Sequence, residues 1–168
     1  LAAVLRHYQG QGRLVAVNLL EAQKVIRDRC AERLRTILYR RLMIRIANEL
    51  ARELQAQALL TGENLGQVAS QTLTNMAVIA EQSALPVLRP LLSFDKQEIM
   101  ALASDIGTFD ISTQPMPDSC TVFAPSNPAT AADAAKVRAQ EERIDIRALV
   151  DACMQTSVYV NTGTLEEE

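Results

Sequence analysis

Residues 57–83 read QALLTGENLGQVASQTLTNMAVIAEQS. The opening QALL is a short apolar run broken by Thr61-Gly62, which reads as a buried strand feeding a loop. A helical pattern takes over at 67–83. The same succession recurs on both sides. Upstream, RLVAVNL at 13–19 alternates and is partly β-branched, as strands are, and a short helical stretch at 21–29 follows. Residues 31–54 lack Gly and Pro and repeat Leu38, Leu42, Met43, Ile46, Ala47, Leu50 and Leu54 at helical spacing. Arg41, Arg45, Asn48 and Arg52 form the opposite, polar stripe. Downstream, LPVL at 85–88 is the next apolar run, and DKQEIMALASDI at 95–106 starts on the N-cap Asp95 and stops before Gly107. Residues 108–128 carry Pro115, Pro117, Pro125 and Pro128 and read as loop, 131–142 and 146–154 as helices, and 157–160 as a short strand. This alternation predicts an α/β domain with a parallel sheet and helices on both faces. Ligands of such sheets sit at the carboxyl ends of strands, here the loops after Leu60, Leu88 and Phe109.

Composition narrows the function. The 168 residues suit one domain, and 48% hydrophobic with 22% charged residues can bury a core. With 4% aromatics and no Trp, an aromatic base-stacking platform is excluded. A net charge of −3 excludes a globally basic nucleic-acid coat. There is no run of transmembrane length and no signal-peptide pattern. His7 is the one histidine, so a histidine metal site or a Ser/His/Asp triad lacks material and no metal ligands are assigned. Cys30, Cys120 and Cys153 are widely spaced without a CxxC, which suits free thiols and a cytoplasmic setting. The chain opens on Leu1 within what reads as mid-domain helix, so it is expected to be a piece of a longer domain over 1–160, with 161–168 a frayed acidic tail.

Some residues stand out chemically. Arg27, Arg29, Arg33, Arg35, Arg40, Arg41 and Arg45 crowd one stretch, which fits either a phosphate- or RNA-facing surface or a solvated helix face with ordinary ion pairs. Arg40 falls among Ile37, Ile44 and Ala47 on the apolar arc, so it must be paired, snorkel or face a ligand. In TGENLGQVASQ at 61–71, Gly62 and Gly66 permit close backbone approach, and Glu63, Gln67, Ser70 and Gln71 offer hydrogen bonds. An anion would suit that loop; so would a plain strand-to-helix turn. Cys120, in the polar loop PDSCT at 117–121, is either a nucleophile or an unreactive thiol. Cys30 reads as a helix-start thiol whose pKa a dipole can lower, and Cys153 as core.

Several blocks together resemble one family: YRRLMIRIANELA at 39–51, TGENLGQVASQTL at 61–73, LPVLRPLLSFDKQEI at 85–99, IGTFDIS at 106–112, PDSCTVFAPSNPAT at 117–130 and KVRAQEERIDIRALV at 136–150. It is the tRNA 4-thiouridine synthetase family, also described as the thiamine-biosynthesis sulfurtransferase. The resemblance implies a PP-loop ATP-pyrophosphatase domain of Rossmann-like architecture. It implies adenylation of a tRNA uridine with ATP and Mg2+, followed by replacement of the oxygen with persulfide sulfur to give 4-thiouridine. A cysteine desulfurase is the implied sulfur donor, and the same relay can feed thiamine thiazole synthesis. Carried over by position, Arg40, Gly62 and Gln71 match ATP-contacting residues, and Cys120 matches the sulfur-transfer cysteine.

The sequence also departs from that pattern. It has no SGGxDS-type phosphate loop, and Ser119-Cys120 stands where many members carry two cysteines. The expectation is therefore a carboxy-terminal portion lacking the first strand and phosphate loop, inactive alone in adenylation and completed by the upstream half. The competing expectation is a non-catalytic remnant of the same fold that binds RNA or a partner. An uncovered strand edge is expected to pair with that half or in a homodimer.

Overall fold

The computed structural model describes residues 1–9, 12–115 and 123–160. In chain order the elements are α1 (Ala2–Gln9), β1 (Leu14–Ala16), α2 (Leu20–Arg29), α3 (Arg35–Glu53), β2 (Leu59–Leu60), α4 (Leu73–Ala80), β3 (Val87–Leu88), α5 (Lys96–Asp105), α6 (Phe109–Ser112), α7 (Ala134–Glu141), α8 (Ile146–Gln155) and β4 (Val158–Val160). The expected helix at 31–54 appears as a 3-10 turn, Glu32–Leu34, leading into α3. The one expected at 67–83 begins only at Leu73. Thr72 is extended there, and its hydroxyl accepts the Asn75 backbone N–H at 3.2 Å, which caps α4 and confines the preceding residues to a 3-10 turn, Ala69–Gln71. α5 starts on a reciprocal Asp95–Glu98 capping box and stops at Gly107, whose φ of +70° is the left-handed conformation that ends helices.

α3 is the axis of the core. It packs against α2, α4, α7, α8 and β2, and Ile37, Leu38, Tyr39, Leu42, Ile44 and Ile46 are all buried. With neighbours on several sides, the helix does not keep its expected polar stripe. Arg41, read as solvent-facing, is 1% exposed. Its guanidinium meets Glu141 twice, at 2.9 and 2.8 Å, Glu81 at 3.1 Å, and the Val78 carbonyl. Arg45 reaches the same Glu141 at 2.7 Å.

β2 and β3 pair in parallel, Leu59 opposite Val87 and Leu60 opposite Leu88, with α4 in the crossover. Both loops of interest therefore leave the same end of the pair. The strand expected at 13–19 does not join it. It shortens to β1 and pairs antiparallel with β4 as a separate ribbon, Leu14 opposite Val160 and Ala16 opposite Val158. Only Val15 of β1 is even half-buried, too little apolar surface for a strand covered on two faces. Asn18 then ends the run by accepting the Leu20 N–H at 3.0 Å.

Cys30 lies just past the carboxyl end of α2, not at a helix start, and burial pushes its thiol up rather than down. Cys153 is buried in α8 as expected, and burial raises its thiol too. Among the described residues no helix is long and apolar enough to cross a membrane.

Candidate functional site

The loop leaving β2 is fastened to the loop leaving β3. Leu65 N–H donates to the Leu92 carbonyl at 3.1 Å, and the buried Asn64 amide donates to the carbonyls of Leu91, at 3.0 Å, and Phe94. Gly66, at φ +78°, makes the turn that a side chain would strain, and its N–H closes on the Gln71 carbonyl at 2.9 Å. The two loops line an open pocket of 410 Å³ bordered by Asn64, Gly66, Gln67, Ser93 and Asp95.

Glu63 is the centre of charge. Its side chain is 4% exposed, and a carboxylate so placed must be paired. Arg40 reaches in from α3, with Nη2 at 3.2 Å from Glu63 Oε1 and Nη1 donating to Ser70 Oγ at 2.8 Å. Arg89, just beyond β3, donates Nε to Glu63 Oε2 at 2.7 Å, and the Thr61 hydroxyl donates to the same oxygen at 3.1 Å. Two guanidinium groups against one carboxylate leave a surplus of one positive charge, which suits an anion. Arg40 is thus both paired and partly open to solvent, so the bare alternatives for an arginine on an apolar arc merge.

The residues fit a nucleotide in two further respects. A Cβ added at Gly62 would meet nothing within 4 Å, so the backbone there faces open space. Gln71 Oε1 is buried, and among the described residues no donor reaches it, an acceptor left for a ligand group. Arg40 thus meets the residue after Gly62 and the residue before Gln71, Glu63 and Ser70. Cys120 falls in 116–122, outside the described residues, as does the tail at 161–168. Sequence reasoning did not single out Arg89. The signal was its position one residue after the apolar run LPVL, in a loop already expected to face ligand.

Behind the locus, Asn75 on α4 is fully buried. Its amide donates to the carbonyls of Ala69 at 2.7 Å and Ala129 at 2.8 Å, and accepts the Ala132 N–H at 2.8 Å. Thr72 adds a bond from its hydroxyl to the Thr130 carbonyl at 2.7 Å. The 3-10 turn Ala69–Gln71 is thereby tied to residues 129–132.

The remaining clustered arginines divide. Arg27 pairs with Asp28 and lies 4.7 Å over the Phe123 ring, and Arg35 donates to the Arg27 carbonyl. Arg29 and Arg33 are exposed and form no ion pair among the described residues. Arg35, Arg41 and Arg45 thus serve internal contacts and Arg27 an ordinary exposed ion pair, while Arg29 and Arg33 face solvent.

Comparison with known proteins places the chain in a family. The family model described as thiamine biosynthesis protein (ThiI) matches residues 1–146. A probable tRNA sulfurtransferase of Finegoldia magna is 47% identical over 154 residues, which are 92% of this chain and 39% of that protein. A probable tRNA sulfurtransferase of Nocardia farcinica is 45% identical over 163 residues, 97% of this chain and 40% of that protein. The crystal structure of a 4-thiouridine synthetase–RNA complex with bound ATP aligns with a TM-score of 0.88 at 41% identity, covering 95% of this chain and 42% of that one. The chain spans about two fifths of the length of the curated relatives it matches. With a family model covering most of its residues, the chain belongs to the thiamine biosynthesis protein (ThiI) family.

Proposed function

We propose that the chain is the carboxy-terminal portion of the PP-loop domain of an ATP-dependent tRNA sulfurtransferase, acting in the cytoplasm. The carrying observation is the Arg40–Glu63–Arg89 cluster beside Gly62 and the unsatisfied Gln71 acceptor, at the carboxyl end of β2. The backbone alignment to an ATP-bound relative supports the same reading. Arg40, Gly62 and Gln71 would hold ATP, with Mg2+ on its phosphates. In the activity proposed, ATP adenylates a tRNA uridine, and persulfide sulfur, delivered from a cysteine desulfurase with Cys120 taking part, replaces the activated oxygen as AMP leaves. The same relay could serve thiamine thiazole synthesis.

The first strand and the SGGxDS-type phosphate loop would come from the remainder of the domain. An uncovered face supports a missing remainder: Leu60 and Leu88 of the short parallel pair are 69% and 52% exposed, and parallel strands are normally covered on both faces. Without that remainder, a second copy of the chain would be the competing cover.

Mg-ATP is expected to raise the melting temperature of the chain in a concentration-dependent way. At ten times Kd the gain is about 1.4 kcal/mol, roughly 3–6 °C for a chain of this size. Arg40→Ala is expected to abolish the shift. A shift that survives Arg40→Ala would remove Arg40 from the site; no shift at millimolar Mg-ATP would mean that the pocket needs the upstream half or that the chain is a remnant that binds RNA or a partner, and repeating the melt with that half supplied decides between the two. The chain alone is expected to form no adenylated tRNA, because most of the phosphate stabilisation is missing. Detection of that product in a radiolabelled ATP assay would contradict the division of labour.

A further inference from the structure

The Arg40 guanidinium makes contacts from two directions, and both partners lie on the segment that follows β2. Glu63 Oε1 sits 3.2 Å from Nη2, and Ser70 Oγ accepts from Nη1 at 2.8 Å. Glu63 is itself fixed from the far side by Arg89 and Thr61, at 2.7 and 3.1 Å. Its carboxylate is almost wholly buried, whereas the Arg40 side chain remains 21% exposed. The exposed group is therefore held by a buried one.

We propose that Glu63, assisted by Ser70, is a positioning residue that aims the Arg40 guanidinium at the phosphates of the nucleotide. The inference deepens the nucleotide reading and rests on it. Arginine loses considerable rotamer freedom when it is immobilised. If that freedom is lost on folding, less is lost when ligand binds, and affinity rises. Burying a carboxylate next to an anion site otherwise works against binding, because it repels the ligand and neutralises one of two cations. The arrangement makes sense if geometry outweighs that repulsion.

The two roles predict opposite signs. Glu63→Gln keeps the shape and raises the local charge from +1 to +2. A carboxylate that only neutralises would, on removal, leave Mg-ATP bound equally well or more tightly. A positioning carboxylate would, on removal, weaken it.

Isothermal titration of Mg-ATP at fixed ionic strength separates these outcomes. Glu63→Gln is expected to weaken binding about tenfold, the size of a lost charge-assisted bond. Ser70→Ala, a small change that leaves the charges alone, is expected to weaken it about two- to fivefold. A second readout needs no ligand. In side-chain 15N spectra, the Arg40 Nη signals, assigned by their loss in Arg40→Ala, should show hindered rotation in the parent and faster rotation in both variants. Unchanged or tighter binding by Glu63→Gln overturns the proposal. If Glu63→Gln does not fold, unchanged affinity and unchanged Arg40 rotation in Ser70→Ala overturn it instead. Where the chain alone binds no Mg-ATP, the same titrations are run with the upstream half supplied: a parent that still binds none removes the nucleotide reading and this inference together, whereas a parent that binds beside an indifferent Glu63→Gln removes this inference alone.

Discussion

Glu141→Leu is expected to destabilise the chain by about 3–5 kcal/mol, read as a fall in the urea midpoint. The cause is the charge left behind. Arg41 is 1% exposed, and its two contacts to Glu141, at 2.9 and 2.8 Å, join α3 to α7 together with the Arg45–Glu141 pair. Without Glu141 the guanidinium keeps only Glu81, which is 38% exposed, and the Val78 carbonyl. Replacing both ends, as Arg41→Met with Glu141→Leu, is expected to cost much less than the single change, because the fully buried guanidinium is then gone and Arg45, which also loses Glu141, is 21% exposed and can turn to water. A single variant that loses under about 1 kcal/mol would show that Glu81 and water suffice.

The same cluster sets a pH dependence. Burial pushes the Glu141 carboxyl up, but hydrogen bonds and charge from Arg41 and Arg45 outweigh it and hold the group below its ordinary value of 4.5. The unfolded chain therefore takes up the proton first as pH falls. The stabilisation is complete above pH 4.5 and drains away as pH drops through the folded value. Glu141→Gln should accordingly lose stability at neutral pH and show a flatter stability curve below pH 4.5 than the parent.

Asn75→Ala is the second large effect, about 3–4 kcal/mol, because an unmade bond to a buried backbone group costs roughly 1–3 kcal/mol. The variant strands the Ala132 N–H and takes a donor from the Ala69 and Ala129 carbonyls at once. Asn75→Asp is expected to be no better. It preserves the acceptor but sets a carboxylate against two carbonyl oxygens. Hydrogen exchange is the informative measurement, since amides in 66–72 and in 129–132 should lose protection together while those of α3 keep theirs. Loss confined to one of the two segments would show that Asn75 does not link them.

The alternation of strands and helices was legible because α3 and α8 carry strong helical periodicity, because α5 is marked by its N-cap Asp95 and the stop at Gly107, and because the apolar runs ending at Leu60 and Leu88 are short and sharply bounded. The partner of β1 was not legible, since three-residue strands at opposite ends of the described chain carry no local mark of whom they pair with. Arg41 was misplaced for a related reason. Periodicity says which residues share a stripe, and the carboxylate that draws this one inward lies 100 positions away. Arg40 stood out on the apolar arc, and the resemblance matched it, Gly62 and Gln71 to ATP contacts; the structure pairs Arg40 with Glu63, which in the sequence is one polar loop residue among several. Arg89 needed the β2–β3 pairing to bring it within 2.7 Å of that carboxylate.

The β1–β4 ribbon has a consequence for the order of synthesis. Leu14 pairs with Val160, so β1, made well before β4, waits for one of the last described residues to emerge from the ribosome. At roughly 5–20 residues per second that wait is on the order of ten to thirty seconds. Through it Leu14 and Val15 have no strand partner, while α2, α3 and α4 can already pack on one another. The ribbon is then a late closure on a formed core. Nascent chains stalled before Val158 should retain protease-resistant α3 and offer β1 as an accessible edge to chaperones.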